Sequence, residues 1–356
     1  MSDTAKTRIL IISDTHTAPL VDPGSPGAGD NGQRQRDRPF RAPLPAADVL
    51  LHCGDITMMG YMHEYDAALD MLGRINAPLK LVIAGNHDLS LDDDFYLRQS
   101  RGTAKWTNGE RMHLKNYDPD MPRQARELWT GEKAKAKGVT FLDEGTHEFT
   151  LQNGARLKVY ASPWQPEFWQ WAFNYEHNED RWNPPHLSAP DAVNTAVNPV
   201  PVAPPGEIDI MMTHGPPKNR LDGTSHGPVG CPHLLRAVAR ARPRLHAWGH
   251  IHEAWGVERV EWAGSSSNVD AERAKELNTR PSASTDGFVK NAERIDFDDS
   301  VVVEKHSAFV DVSGDGETAL KVGSETLMIN ASIMDLQYHP FNAPVVVDLD
   351  LKKATD

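Results

Sequence analysis

Short apolar runs punctuate this chain, and five of them stop at the same few polar residue types. Residues 9–12 run into Asp14-Thr15-His16, residues 49–51 through Cys53-Gly54 into Asp55, and residues 81–84 into Gly85-Asn86-His87-Asp88. Residues 208–212 run into Thr213-His214-Gly215, and residues 245–248 into Gly249-His250-Ile251-His252. Runs this short, apolar at consecutive positions and closed by turn formers, predict strands buried on both faces. The predicted strands are 8–13, 48–52, 79–84, 208–212 and 245–248. Between the second and third, Tyr61, Tyr65, Ala68, Leu69 and Leu72 recur at helical spacing and predict an amphipathic helix over 61–75. Strand, helix, strand in that order is a βαβ unit, with parallel pairing and a right-handed crossover.

Further along, Asp92-Asp93-Asp94 predicts a helix start, where acids suit the dipole, and 122–137 reads as another helix. Residues 139–142, 148–151 and 157–161 read as short strands, with Asn153-Gly154 as a hairpin turn. Residues 232–242 predict a helix with Leu234, Leu235, Val238 and Ala239 on one side. Residues 254–261 alternate weakly, as a strand returning from the ligand edge would. Residues 301–303, 327–329 and 345–347 read as closing strands.

Three stretches break the pattern. Residues 17–47 are rich in Pro and Gly and lack periodicity, the signature of a long loop. Its Arg34, Arg36, Arg38 and Arg41 suit either a solvated loop or a cationic lip steering phosphates. Residues 164–182 gather Trp164, Phe168, Trp169, Trp171, Phe173, Tyr175 and Trp182, a core or lid, or a platform on which a base stacks. Residues 264–300 turn polar and read as an insertion, in part disordered. The domain expectation is a single unit over 1–356, carrying an Arg/Pro/Gly-rich loop at 18–44 and a polar insertion at about 264–320.

Composition narrows the function classes. The 356 residues carry a formal charge of −13, which argues against a stable nucleic-acid complex, since that needs a basic face. Two cysteines cannot make a disulfide framework, and Cys53 and Cys231 both read as buried thiols. The first residues lack the apolar core of a signal peptide, and no segment reaches the roughly 18 apolar residues of a membrane span. A soluble, cytoplasmic protein with no membrane partner is expected; the oligomeric state is left open.

The five stops carry the chemistry. Open α/β sheets gather ligands beyond the carboxyl ends of their strands. The residues there are hard oxygens and imidazoles without a thiolate, a set suited to Mn, Fe, Zn, Ni or Mg rather than to a cysteine-based structural site. Asp14, His16, Asp55, Asn86, His214, His250 and His252 are too many for one ion. Two divalent metal ions are therefore expected, manganese first, with Asp55 bridging them. Ions about 3.5–4 Å apart acidify a shared water and clamp an in-line displacement at phosphorus. His87, beside Asn86, is placed to serve the leaving oxygen, and Asp88 to orient that imidazole. Each residue taken singly has a plainer explanation as a cap, a turn or a core histidine; their joint occurrence at five strand ends does not. His52, His63 and His246 take the plain reading, and His226 and His233 stay open.

These blocks, in this order, resemble the calcineurin-like metallophosphoesterase superfamily. A narrower likeness, carried by Ser162-Pro163-Trp164-Gln165-Pro166, Thr213-His214-Gly215-Pro216-Pro217, Asn330-Ala331-Ser332 and residues 342–349, is to the metallophosphoesterase-domain-containing group of class III phosphodiesterases. The resemblance implies a four-layer α/β/β/α sandwich of two mixed sheets, with the dinuclear site at the strand carboxyl ends. It implies one metal held by Asp14, His16, Asp55 and His252, a second by Asp55, Asn86, His214 and His250, and His87 as the catalytic imidazole. It also implies hydrolysis of small phosphodiesters, cyclic nucleotides included, by a metal-bridging hydroxide, with Asn86, His87 and Trp164 as substrate contacts. The alternatives are a phosphomonoesterase or protein phosphatase, and a metal-bound scaffold without turnover.

Overall fold

The computed structural model describes residues 3–22, 38–100, 118–169, 171–264, 287–316 and 318–354. Strands β1 (Thr4–Ile12), β2 (Val49–Cys53), β3 (Leu79–Ile83) and β4 (Val139–Phe141) join two late strands, β11 (Ala308–Asp311) and β13 (Val345–Lys352). They form one sheet in the order β11-β13-β1-β2-β3-β4. The second sheet contains β5 (Gly145–Thr150), β6 (Arg156–Ser162), β7 (Ile210–Thr213), β8 (Leu245–Trp248), β9 (Gly256–Trp262), β10 (Val289–Ile295) and β12 (Glu325–Asn330), ordered β10-β9-β12-β8-β7-β6-β5. β1 to β4 run parallel, as do β6, β7, β8 and β12. β13 pairs antiparallel with β1, and β5 and β9 run antiparallel to their neighbours β6 and β12.

The helices are α1 (Met62–Gly73), α2 (Asp93–Ser100), α3 (Met121–Thr130), α4 (Glu132–Ala136), α5 (Pro232–Ala241) and α6 (Asp299–Lys305). Alternate strand residues face two different cores. Ile9, Ile11, Val49 and Leu51 meet Val159, Ile210, Met212 and Ile329 between the sheets. Leu10, Ile12, Leu50 and Val82 point the other way, under Tyr65, Leu69 and Leu72 of α1 and Trp129 of α3. Tyr160, Met211, Trp248 and Met328 lie under Leu234, Leu235 and Val238 of α5. The stack is α/β/β/α. Because both strand faces are covered, the runs are apolar throughout instead of alternating. Cys53 and Cys231 are buried free thiols, as the sequence implied.

Four expectations change. The helix read over 122–137 is two helices, because Gly131 adopts an extended backbone (φ −85°, ψ −176°) between α3 and α4. Residues 301–303 are not a strand but the middle of α6. The Asp298 carboxylate accepts from the N–H groups of Ser300 and Val301, and His306 closes the helix in left-handed backbone, so caps override β propensity. The polar stretch contains β10, whose side chains are mostly exposed at a sheet edge, and that exposure explains its composition; 265–286 lie outside the described residues. Of the loop arginines, Arg34 and Arg36 lie outside the described residues. Arg41 donates to His306 Nε2 at 2.8 Å and Arg38 lines a cleft with Trp255 and Arg294; neither lines the cavity over the ligand edge. No described helix is long and apolar enough to cross a membrane.

Candidate metal centre

The five ligand stops belong to parallel strands, β1, β2 and β3 of one sheet and β7 and β8 of the other, and their carboxyl ends meet at one edge. The sheets are stitched together there. Ser13 N donates to Ala331 O at 3.0 Å, and Ile333 N donates to Ser13 O at 2.9 Å. Beyond each strand the chain must turn sharply to aim a side chain inward. Asp14 (φ 52°), His16 (42°), Asp55 (51°) and His250 (66°) all take left-handed backbone, which costs about 1–3 kcal/mol per residue. Hydrogen bonds hold them there: Asp14 N to Gly54 O at 3.0 Å, His16 N to Asp55 O at 3.1 Å, and His250 N to Asp14 Oδ1 at 3.0 Å. Close approach also dictates glycine at two positions. A Cβ on Gly249 would collide with Ser13 and Asp14, and one on Gly85 with Asp55 and His214.

Two donor groups result. Asp14, His16 and His252 place ligand atoms within 4.8 Å of one another, and so do Asp55, His214 and His250. Asn86 joins the second group, its Oδ1 lying 2.9 Å from His214 Nε2. Asp55 reaches both: Oδ1 is 3.4 Å from His214 Nε2, and Oδ2 is 3.7 Å from His16 Nε2. One carboxylate oxygen therefore addresses each group.

The histidines are set as metal ligands require. His16, His214 and His252 each commit Nδ1 to a backbone carbonyl, those of Thr57 (2.9 Å), Cys53 (2.9 Å) and Asp335 (3.1 Å). That commits Nδ1 as a donor and turns Nε2 toward the carboxylates, where a divalent ion would take the place of any proton. His16 Nε2 is buried with no hydrogen-bond partner, an orphaned acceptor aimed at Asp55. Burial, only partly offset by Asp55, holds His16 neutral down to about 3, and burial does the same for His250. For His214 burial also favours the neutral ring, but Asp55 and its hydrogen bond win and push the pKa up to about 9. Burial works against ionised Asp14 and Asp55, yet the surrounding histidines hold both below the ordinary carboxylate range. Buried carboxylates surrounded by imidazoles, one of them with an orphaned Nε2, are a cation-seeking set, and these residues fit a pair of divalent ions.

Supports that the sequence pattern did not single out stand behind the ligands. Ser332 Oγ donates to Asp14 Oδ2 at 2.9 Å. His52 and His246, buried in β2 and β8, place Nε2 2.8 Å from Thr15 Oγ1 and 2.9 Å from Thr213 Oγ1, bracing two ligand turns from inside the sheets.

The sequence profile of the calcineurin-like phosphoesterases matches residues 7–254. This chain belongs to the calcineurin-like phosphoesterase family. It is 30% identical over 257 residues to human metallophosphoesterase domain-containing protein 1, covering 70% of this chain and 62% of that protein. It is also 30% identical over 218 residues to UPF0046 protein T07D4.2 of Caenorhabditis elegans, covering 60% of this chain and 48% of the other. The chain thus spans about three fifths or less of the length of these relatives. A solved structure of purple acid phosphatase PPD1 from yellow lupin (Lupinus luteus) seeds overlaps with 99% of this chain and 48% of its own, at 12% identity and a TM-score of 0.37.

In this family member His87 sits beside the donors. Its N–H donates to Asp55 Oδ1 at 2.8 Å, and its ring is 4.7 Å from that of His16. The expected orienting role of Asp88 is not what the geometry shows. Nδ1 of His87 donates to Met58 O at 2.9 Å, and Trp171 stacks on the ring at 4.2 Å with 23° between planes. Asp88 is instead buried in a backbone cradle, accepting from Gly85, Ile56 and Thr57 N–H and from Thr57 Oγ1. It ties the Asn86–His87 turn to the Asp55 turn.

A cavity of about 620 Å³ opens over the donors. Asp55, Asn86, His87, His250 and His252 form its floor, and Phe168, Trp169, Val229, Leu336 and Tyr338 line its walls. Trp164, expected to touch substrate, belongs to the protein interior side: the Arg181 guanidinium lies 3.8 Å over its ring and Phe173 meets it edge-on. The aromatic segment does reach the site, but through Phe168, Trp169 and Trp171. Tyr338, which packs against His16 at 4.9 Å and His252 at 5.5 Å, comes from a stretch with no motif to mark it.

Proposed function

We propose that this chain is a two-metal phosphodiesterase that hydrolyses small phosphodiesters, cyclic nucleotides among them. The observation that carries the reading is Asp55, one oxygen toward each donor group, with His87 hydrogen-bonded to it through the backbone. Two divalent ions bound there, manganese first for an oxygen and imidazole set, supply Lewis acidity and lower the pKa of a water from ~15.7 toward ~7. The chain's own residues do the rest. Asp14, His16 and His252 would hold one ion and Asn86, His214 and His250 the other, with an Asp55 oxygen in reach of each group. In hydrolysis a water oxygen, having lost a proton, forms a new P–O bond as one ester P–O bond breaks, and the departing alkoxide takes up a proton. With Nδ1 committed to Met58 O, Nε2 is the His87 atom placed to supply it. Trp171 and the Met58 carbonyl hold the imidazole against rotation while it does so.

The cavity walls favour a diester over a monoester. None of the described lining residues is Lys or Arg. A monoester brings a charge of about −1.5 to −2 at pH 7, whereas a diester brings one. Manganese-loaded protein is expected to hydrolyse bis(p-nitrophenyl) phosphate faster than p-nitrophenyl phosphate. A higher rate on the monoester would remove the diesterase assignment while leaving the metal centre in place.

A further inference from the structure

A second cavity, of about 330 Å³, contains none of the metal donors. Helix α2 supplies Phe95, Arg98 and Gln99 to its lining, and the aromatic segment supplies Glu167, Trp171, Asn174 and Tyr175. Glu176 and Glu179 complete the lining among the described residues. Three carboxylates are thus set against one guanidinium, and Arg98 also lies close enough to Asp92 to favour its ionised form. Glu167 and Glu176 are exposed, so the cavity opens to solvent. Its volume is in the range that takes a small organic molecule.

An acidic rim alone is ordinary solvated surface; two amides in the same lining point to a ligand. Gln99 is 6% exposed, and its Oε1 is buried with no hydrogen-bond partner. Asn174 Nδ2 is buried and unpartnered as well. The Asn174 amide is held in that orientation, because its Oδ1 accepts from Gln165 Nε2 at 2.6 Å and the same nitrogen donates to Ala172 O at 2.9 Å. Buried polar groups are nearly always satisfied, so a bare acceptor and a bare donor lining one cavity call for a group that answers them. A hydroxyl donates to the first and accepts from the second. The carboxylates and the rings of Phe95, Trp171 and Tyr175 suit a positive charge, above all an alkylated ammonium, which aromatic rings attract.

Trp171 connects this cavity to the metal centre. It lines the cavity and also stacks on the His87 ring at 4.2 Å. An occupant packed against Trp171 therefore bears on the orientation of His87.

We propose that this cavity is an effector site for a small hydroxylated ammonium ion, whose occupancy is read at His87 through Trp171. Choline is the probe. The control is 3,3-dimethylbutan-1-ol, which has the same shape and hydroxyl but no charge. Calorimetry on metal-loaded protein is expected to show saturable choline binding, with the neutral alcohol about tenfold weaker. Gln99→Leu removes the bare acceptor and lowers choline affinity about tenfold. Glu167→Gln combined with Glu176→Gln, both at exposed positions, lowers it about threefold. Absence of saturable choline binding, equal binding of the alcohol, or an affinity unchanged in both variants overturns the site.

The second arm follows the His87 ring signals by NMR in zinc-loaded protein, assigned by their loss in His87→Ala. They are expected to shift as choline is added, with a midpoint that matches the calorimetric Kd and moves with it in Gln99→Leu. Signals that stay in place at saturation overturn the effector role. Neither arm needs turnover, so failure of the effector site and failure of the diesterase reading are told apart.

Discussion

The floor of the cavity and its walls are built on opposite principles. The metal donors sit at the ends of central parallel strands, most of them buried and His250 and His252 half-buried. Three of them are fixed twice, by their own backbone hydrogen bond and by one behind it: Ser332 behind Asp14, Thr57 O behind His16, Cys53 O behind His214. The walls are loop residues with exposed rings, and the Phe168 and Trp169 side chains rest on ring contacts. Reaction geometry must be held to fractions of an ångström, so it sits where packing and hydrogen bonds over-determine position. Recognition of a substituent tolerates more play, so it sits on segments that sequence change reaches without disturbing the sheets.

Substitutions should expose this division, with the largest effects at the floor. Asp55→Ala removes the one carboxylate shared by both donor groups. Metal analysis of the purified variant should show loss of the paired ions, and the diester rate should fall on the order of a thousandfold or more. Retention of two ions would show that Asp55 does not bridge. His87→Ala should keep its metal content and lose about 10²–10⁴ in kcat; an unchanged rate would take His87 out of the reaction. Gly249→Ala forces a Cβ onto Ser13 and Asp14. A stability loss of about 1–3 kcal/mol, read by urea unfolding, should accompany weaker metal binding. Ser332→Ala removes one hydrogen bond to Asp14, and a metal titration should show affinity lowered about 10–100-fold. At the wall, Trp169→Ala should change unfolding free energy by no more than about 0.5 kcal/mol, because its ring is largely in water. A large loss of stability there would erase the contrast between the two regions.

The sequence made the floor legible and the walls nearly illegible, for one reason. A metal ligand must be Asp, Asn or His at a strand end, so residue type and the end of an apolar run together mark Asp14, Asp55, Asn86, His214 and His250. Tyr338 has neither mark; it lies in a polar turn that the hydrogen bond from His252 Nδ1 to Asp335 O helps hold over the donors. Trp164 and Trp169 belong to one aromatic stretch, and nothing in its spacing separates the ring that packs under Arg181 from the ring that lines the cavity. Asp88 misled for a related reason. Adjacency to His87 suggested a side-chain partner, but neighbours in a tight turn point apart, and the partner came from Met58, almost thirty positions earlier.

What the chain by itself determined is the set of local choices: continuous apolar runs that require cover on both faces, the turn glycines, and donor residues whose chemistry suits a hard divalent cation. What only the tertiary structure decided is which atoms meet. The two Asp55 oxygens face different donor groups because β2 lies between β1 and β3 while β7 and β8 approach from the other sheet. Residue type and spacing encode what a side chain can do, but distances of 3 to 4 Å between groups about 40 to 240 positions apart arise only when the strands and sheets pack.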